Sequence, residues 1–268
     1  MGEYQLGVIG SGNMAEAILR GVIASGSLPA DAIVASDPLP ERRKRLADEI
    51  GISCVADNLV PARCPRVLLA VKPQVMGEVL DNIASTVGAD ALVVSIAAGV
   101  ATGFIDQRLD GRGRIVRVMP NTPMLVGEGM SAIAPGPRAT GEDVSWTAQL
   151  FGAGGRTVTV TEEMMDAVTA VSGSGPAYFF YLIEAMIAAG VAEGLETETA
   201  ALLAGQTCAG AAKLLMESSE PPDVLRARVT SPGGTTQRAI ETMESARVKE
   251  SLISAIRAAA ERSRELGK

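Results

Sequence analysis

Short apolar runs alternate with amphipathic stretches through the first 160 residues of the chain. Runs at 5–10, 32–36, 66–71, 91–96, 114–118, 131–134 and 156–160 read as strands, being short, rich in β-branched residues and bounded by Gly, Pro or Asp. Several are apolar through nearly their whole length, which is what a strand needs when helices cover both faces of its sheet. The pattern predicts an α/β domain over 1–160 with a Rossmann-type, doubly wound parallel sheet.

From Thr161 the period changes. Thr161 before Glu162 and Glu163 has the form of a helix start, and Met164, Ala167, Val168 and Val171 recur at helical spacing. SGSGP at 172–176 interrupts the pattern, and 177–193 resumes it with Phe180, Ile183, Ile187 and Val191 on one face. Thr197 opens another helix, in which Ala200, Ala204, Cys208, Ala211 and Ala212 make a surface small enough for close packing. Pro221 and Pro222 mark a turn, and helices are expected near 223–229, 232–244 and 246–265. Residues 161–268 therefore read as an all-helical domain. Its two long apolar helices need a partner's surface, which symmetric dimerisation supplies.

Composition narrows the function. A length of 268 residues suits two domains at roughly 150 residues each. Aromatics make up only 3% of the chain, so the cores must be built from Ala, Val, Leu, Ile and Met. A net charge of −7 argues against a nucleic-acid or anionic-membrane partner. The dense basic cluster, Arg42 to Arg45, is flanked by Glu41, Asp48 and Glu49 as a solvated helix face would be. The three cysteines are too widely spaced for a disulfide framework or a zinc site, and no metal is expected. The chain runs from Met1 into QLGVIG without a basic leader, and no uncharged apolar stretch reaches ~18 residues. A cytoplasmic location is expected. There is no histidine, which removes the commonest general base and metal ligand.

GVIGSGNMAEAI, residues 7–18, holds Gly10-x-Gly12-x-x-Ala15 between a strand and a helix. The first glycine allows a tight turn, the second lets a pyrophosphate approach the backbone, and the small third residue lets the helix pack on the sheet. Ser11, Asn13 and Met14 complete that turn. Ser36 and Asp37 end the second strand, where an acid accepts hydrogen bonds from a ribose 2′-hydroxyl and repels a 2′-phosphate. A plain turn residue before Pro38 is the alternative, but the position of Asp37 at the strand end favours the ribose contact. As a ribose contact it favours NADH over NADPH, while Arg42 and Arg43, one turn on, are within reach of a 2′-phosphate. AVKP (Ala70, Val71, Lys72, Pro73) and SIAAG, with Ala97, Ala98 and Gly99, fall where the fourth and fifth strands of such a sheet should end, and would border the nicotinamide. MPNTP, with Asn121 and Pro123, follows the sixth.

The run VTSPGGTT, residues 229–236, is suited to a small anion. Ser231 is expected to cap a helix whose first residue is Pro232, leaving the amides of Gly233, Gly234 and Thr235 free at a positive dipole end. A carboxylate would fit there, with the Thr236 hydroxyl beside it.

Together VIGSGNMAEAI, AVKPQ, SIAAGV, MPNTP, AVSGSGPAY and VTSPGGTT resemble, in order and over nearly the whole chain, the pyrroline-5-carboxylate reductases of the last step of proline synthesis. The resemblance implies an N-terminal Rossmann domain, a helical dimerisation domain with intertwined protomers, and often a ring of dimers. It also implies reduction of L-1-pyrroline-5-carboxylate to L-proline with NADPH or NADH. Thr236 would then bond the ring nitrogen, amides of the PGGT turn would take the carboxylate, and Ser174 would lie in the segment leading into the long helix beside the site. Asn58 matches an asparagine near the adenosine ribose in relatives. Asp37 departs from the small or uncharged residue of many NADPH-using members.

The absent histidine agrees with this chemistry. A cyclic imine is basic enough to bind as its iminium, so hydride transfer needs orientation and a hydroxyl or water near nitrogen rather than a strong acid. Two rivals stand beside it. A β-hydroxyacid dehydrogenase shares the two-domain plan but needs a lysine early in the helical domain, and Lys213 is the only lysine between Lys72 and Lys249. A non-catalytic dinucleotide-binding sensor would leave the PGGTT turn without a purpose.

Overall fold

The computed structural model describes residues 4–267. Eight strands form one sheet: β1 (Leu6–Ile9), β2 (Ile33–Ser36), β3 (Ser53–Val55), β4 (Arg66–Leu69), β5 (Leu92–Ser95), β6 (Arg114–Met119), β7 (Gly129–Pro135) and β8 (Gly155–Thr159). Their order is β3-β2-β1-β4-β5-β6-β7-β8. The first six are parallel, with the direction of winding reversing between β1 and β4. β7 runs antiparallel to β6, and β8 is parallel to β7. The expected parallel sheet is thus found, with one antiparallel step between β6 and β7. Only a short 3₁₀ turn, Thr122–Val126, joins β6 to β7, and that connection cannot carry the crossover a parallel pair requires. β3 was absent from the sequence reading because it is a three-residue edge strand with no fully buried position.

Helices α1 (Asn13–Ala24), α2 (Pro40–Ile50), α3 (Leu59–Ala62), α4 (Pro73–Ile83), α5 (Thr102–Arg108) and α6 (Gly141–Gly152) accompany the strands. Strand side chains divide between two cores. Leu68, Leu92 and Val94 join Ile18 and Leu19 of α1 and Phe151 of α6. Val67, Leu69 and Val93 join Met76 and Leu80 of α4 and Ile105 of α5. Every one of these is essentially out of water, which is why the strand runs are apolar rather than alternating.

After β8 the chain stays helical through the segment expected to break. A 3₁₀ turn (Glu162–Met164), α7 (Met165–Val168) and a π-helical turn (Thr169–Gly173) lead into α8 (Gly175–Ala192). The glycines of SGSGP are absorbed by widening one turn. Residues 162–192 form a helical run long and apolar enough, by length and composition, to cross a membrane, and little of it is buried in the single chain. α9 (Thr197–Glu217), α10 (Pro222–Arg228), α11 (Thr235–Ser245) and α12 (Val248–Leu266) follow.

Contacts sort the chain into two compact units, 1–174 with 259–268, and 175–258. Residues 161–174 thus group with the sheet: Met165 is fully buried on Ala132 and Ala134 of β7. The end of α12 joins the same unit, where Ser263 Oγ donates to Asp166 Oδ1 at 2.6 Å. In the second unit α8 packs on α9 at Gly190, where a Cβ would meet Ala200 Cβ at 3.2 Å. Ala200 and Ala204 are buried, while Ala211 and Ala212 are exposed. Phe179, Phe180, Tyr181 and Leu182 are all more than half exposed.

Candidate functional site

β1 ends at Ile9, and Gly10 turns the chain with φ +95, a conformation that side chains other than glycine's rarely adopt. A Cβ there would come within 2.7 Å of the Ala70 carbonyl at the end of β4. Gly12 caps α1 without side-chain help, so the first-turn amides are left for a ligand or water. A Cβ on Gly12 would find nothing nearer than Arg42 Nη1 at 3.8 Å. Ala15 is buried in the packing of α1 on the sheet. A cradle open only where glycine stands, at a helix N-terminus, fits a dinucleotide's pyrophosphate.

Behind this turn a network holds the second strand end. Asp37 is buried, and its Oδ2 accepts from the Ser11 amide at 3.0 Å and the Ser11 hydroxyl at 2.7 Å. Oδ1 accepts from the Leu39 amide at 2.9 Å. Arg43 donates to the carbonyls of Asp37 and Pro38 at 2.8 and 2.9 Å. Ser36 donates to Asn58 Oδ1 at 2.7 Å.

A cleft of about 830 Å³ brings together Gly10, Ser11, Gly12, Asn13, Ser36, Asp37, Asn58, Ala70, Val71 and Lys72. Val75, Glu78, Val79 and Asn82 line it as well, from one face of α4, and the sequence reading missed them. Their spacing of three and four residues is a helical-face signal that could have found them. Ala56, just past β3, was missed with its strand.

Other expected cofactor residues lie elsewhere. Met14 packs on the first core and Ala97 is buried in the second. Pro73, Ala98 and Gly99 line a separate depression with Phe104, Leu266 and Gly267. Pro123 is the second residue of the 3₁₀ turn. Asn121 is committed within the protein: Nδ2 donates to the Ser172 carbonyl and hydroxyl at 3.2 and 3.3 Å, and Oδ1 accepts from the Met130 amide at 2.8 Å. It ties the MPNTP loop to β7 and to the π turn. That loop is therefore set by internal packing.

In the second unit the VTSPGGTT run folds differently from expectation. α11 begins at Thr235 with Gly234 as its cap, so Ser231 is not the cap and Pro232 is not its first residue. Instead the Gly234 amide donates to the Ser231 carbonyl at 3.0 Å, with Gly233 at φ +69. Proline second and a positive-φ glycine third are the pattern of a type II turn. The Gly233 amide donates to Gln237 Oε1 at 2.7 Å. The amides of Gly233 and Gly234 are thus spent, and those of Thr235, Thr236 and Gln237 in the first turn have no partner among the described residues. Thr230 and Thr242 turn their hydroxyls back on helix carbonyls. The half-buried Thr236 hydroxyl has no such partner among the described residues. In the first unit, Ser174 ends the π turn, its amide on the Thr169 carbonyl at 2.8 Å.

The Pyrroline-5-carboxylate reductase dimerisation family model matches residues 162–266, and the NADP oxidoreductase coenzyme F420-dependent model matches 5–99. A pyrroline-5-carboxylate reductase of Methanosarcina acetivorans is 43% identical over 269 residues, covering 100% of both chains. The chain belongs to the pyrroline-5-carboxylate reductase family. Among solved structures, a pyrroline-5-carboxylate reductase from Coxiella burnetii matches with a TM-score of 0.92 at 35% identity, covering 100% of both chains. The pyrroline carboxylate reductase of Plasmodium falciparum with NADP bound gives 0.89 at 31%, again over 100% of both. The family match goes against the β-hydroxyacid dehydrogenase reading, which called for a lysine early in the helical domain. Lys213 is exposed on α9 and 3.8 Å from Glu217.

Proposed function

We propose that this protein reduces L-1-pyrroline-5-carboxylate to L-proline with NADPH or NADH. The observation that carries the reading is the start of α11, where three open amides stand beside the unpartnered Thr236 hydroxyl. The amides of Thr235, Thr236 and Gln237, at the positive end of the helix, take the substrate carboxylate. Ser231, Gly233 and Gly234 act indirectly, through the turn that aims them. Thr236 holds the ring nitrogen. Hydride adds at the imine carbon while the C=N π pair moves onto nitrogen, and the Thr236 hydroxyl stays with the new amine. Orientation supplies most of the rate, since the bound iminium needs no proton during the hydride step. A nicotinamide bound in the first unit supplies the hydride. Gly10, Ser11, Gly12 and Asn13 hold its pyrophosphate, Ser36, Asp37 and Asn58 face the adenosine ribose, and Ala70, Val71 and Lys72 border the cleft at β4.

The functional division lies near 160/161, dinucleotide binding before it and substrate binding with dimerisation after it. The working unit is a homodimer, arranged as a ring of dimers, in the cytoplasm. Initial rates of NADPH and NADH oxidation, with the five-membered and the six-membered imine acids, test the reading. Turnover with the five-membered imine and either cofactor is expected. Absence of turnover with both cofactors would sink it. One methylene in an apolar pocket is worth only about 1–3 kcal/mol, so measurable activity on the larger ring is also expected.

A further inference from the structure

An acid at the end of β2 ordinarily excludes a 2′-phosphate, yet the same cleft carries Arg42. The carboxylate of Asp37 has about four acceptor sites, and three are filled by Ser11 and Leu39. Its side chain is only 6% exposed. Arg43 is committed too, to the carbonyls of the turn beneath it. Arg42 differs from both. Its side chain is 50% exposed, and Nη1 makes only a long ion pair with Asp37 Oδ2, at 3.9 Å, beyond hydrogen-bond length. No hydrogen bond occupies its guanidinium among the described residues, and it faces the open side of Gly12. Lys72, the other cation lining the cleft, follows β4 rather than β2.

The geometry points to Arg42 as the residue that admits a 2′-phosphorylated adenosine ribose, with Asp37 a positioning residue that holds the glycine turn through Ser11. This rests on the reading of the cleft as a dinucleotide site. A phosphate monoester accepts paired N–H groups from a guanidinium, and here the neighbouring acid is shielded by donors of its own. Asp37 therefore fails to bar NADPH. Its acceptor sites are taken inside the protein, and the N–H groups of Arg42, held only by the long ion pair, are open to the added phosphate.

Calorimetric titration of the full chain with adenosine 2′,5′-bisphosphate and with 5′-AMP reads the 2′ group without turnover. The native protein is expected to prefer the bisphosphate. Arg42→Ala should lower bisphosphate affinity about tenfold or more while 5′-AMP stays within roughly twofold. Asp37→Asn should weaken both nucleotides by similar factors, because it loosens the Ser11 turn they share. An Arg42→Ala ratio equal to that of the native protein would overturn the assignment. So would an Asp37→Asn protein whose preference for the bisphosphate alone rises about tenfold, which would make Asp37 the reader. Binding of neither nucleotide to the native protein would overturn the cleft reading itself.

Discussion

In the proposed mechanism Thr236 is the residue on which the chemistry turns. Thr236→Ala deletes one oriented hydrogen bond to a charged group while the amides of α11 remain, so cofactor binding should survive. A loss of about 1.5–3 kcal/mol, or roughly 10- to 100-fold in kcat/KM, is expected in steady-state kinetics. Thr235→Ala should cost less, since Thr235 contributes only its amide. Equal small losses would leave the amides alone as the site. Gly233 offers a second check. Its φ of +69 has open space around it, so Gly233→Ala adds backbone strain of about 1–2 kcal/mol without a clash. A raised KM for the imine with unchanged nucleotide affinity is the expected signature. At this scale the sequence displayed residue types but not their partners. Asp37 and Asn121 looked alike as cofactor ligands, and only the tertiary fold turns Asp37 onto Ser11 and Asn121 onto Ser172.

Elements were more legible than residues. The seven strand runs are found near their expected places: β1, β2, β4 and β5 because burial on both faces demands continuous apolar sequence, and β8, which has no buried position, through its β-branched alternation of Thr and Val. The start of α11 is off by three residues for an identifiable reason. Ser-Pro-Gly-Gly suits both a capped helix entry and a type II turn, and the positive φ of Gly233 decides for the turn. α6 carries the clearest electrostatic prediction. Burial opposes the charge of Asp143, but the Arg114 guanidinium and the Thr140 amide and hydroxyl outweigh it and hold the carboxyl below its ordinary range. Arg114 donates to it at 2.8 and 3.0 Å, and Thr140 closes a capping box with it. A depressed folded pKa contributes stability above the unfolded value of about 4, and that stability is lost as pH falls through the folded value. Asp143→Asn should cost on the order of 3 kcal/mol at neutral pH and far less near pH 2. Urea melts at the two pH values check this, and an equal cost at both would contradict it.

For the whole molecule, the single chain leaves too much apolar surface in water. Phe179, Phe180, Tyr181, Leu182, Leu202 and Leu203 are each more than half exposed, on α8 and α9. The small-residue face read from α9 meets α8 at Ala200, Ala204 is buried too, and most other positions of both helices are exposed. A second copy is expected to cover that surface, as the dimerisation family match over 162–266 supports. Sedimentation equilibrium should give a dimer or larger without detergent, and a stable, active monomer would contradict this. A chain ending near Thr161 should be inactive. It should also be less stable than one ending at Ser174, because it strips Met165 from β7.

The central claim is that hydride from a nicotinamide reaches the imine carbon of a pyrroline carboxylate. It is tested most directly by supplying NADPH deuterated at the transferable position of C4 and examining the product by mass spectrometry and NMR. The account predicts L-proline carrying one deuterium on Cδ, the ring carbon next to nitrogen that does not bear the carboxylate. Unlabelled proline, or no proline at all, would contradict it.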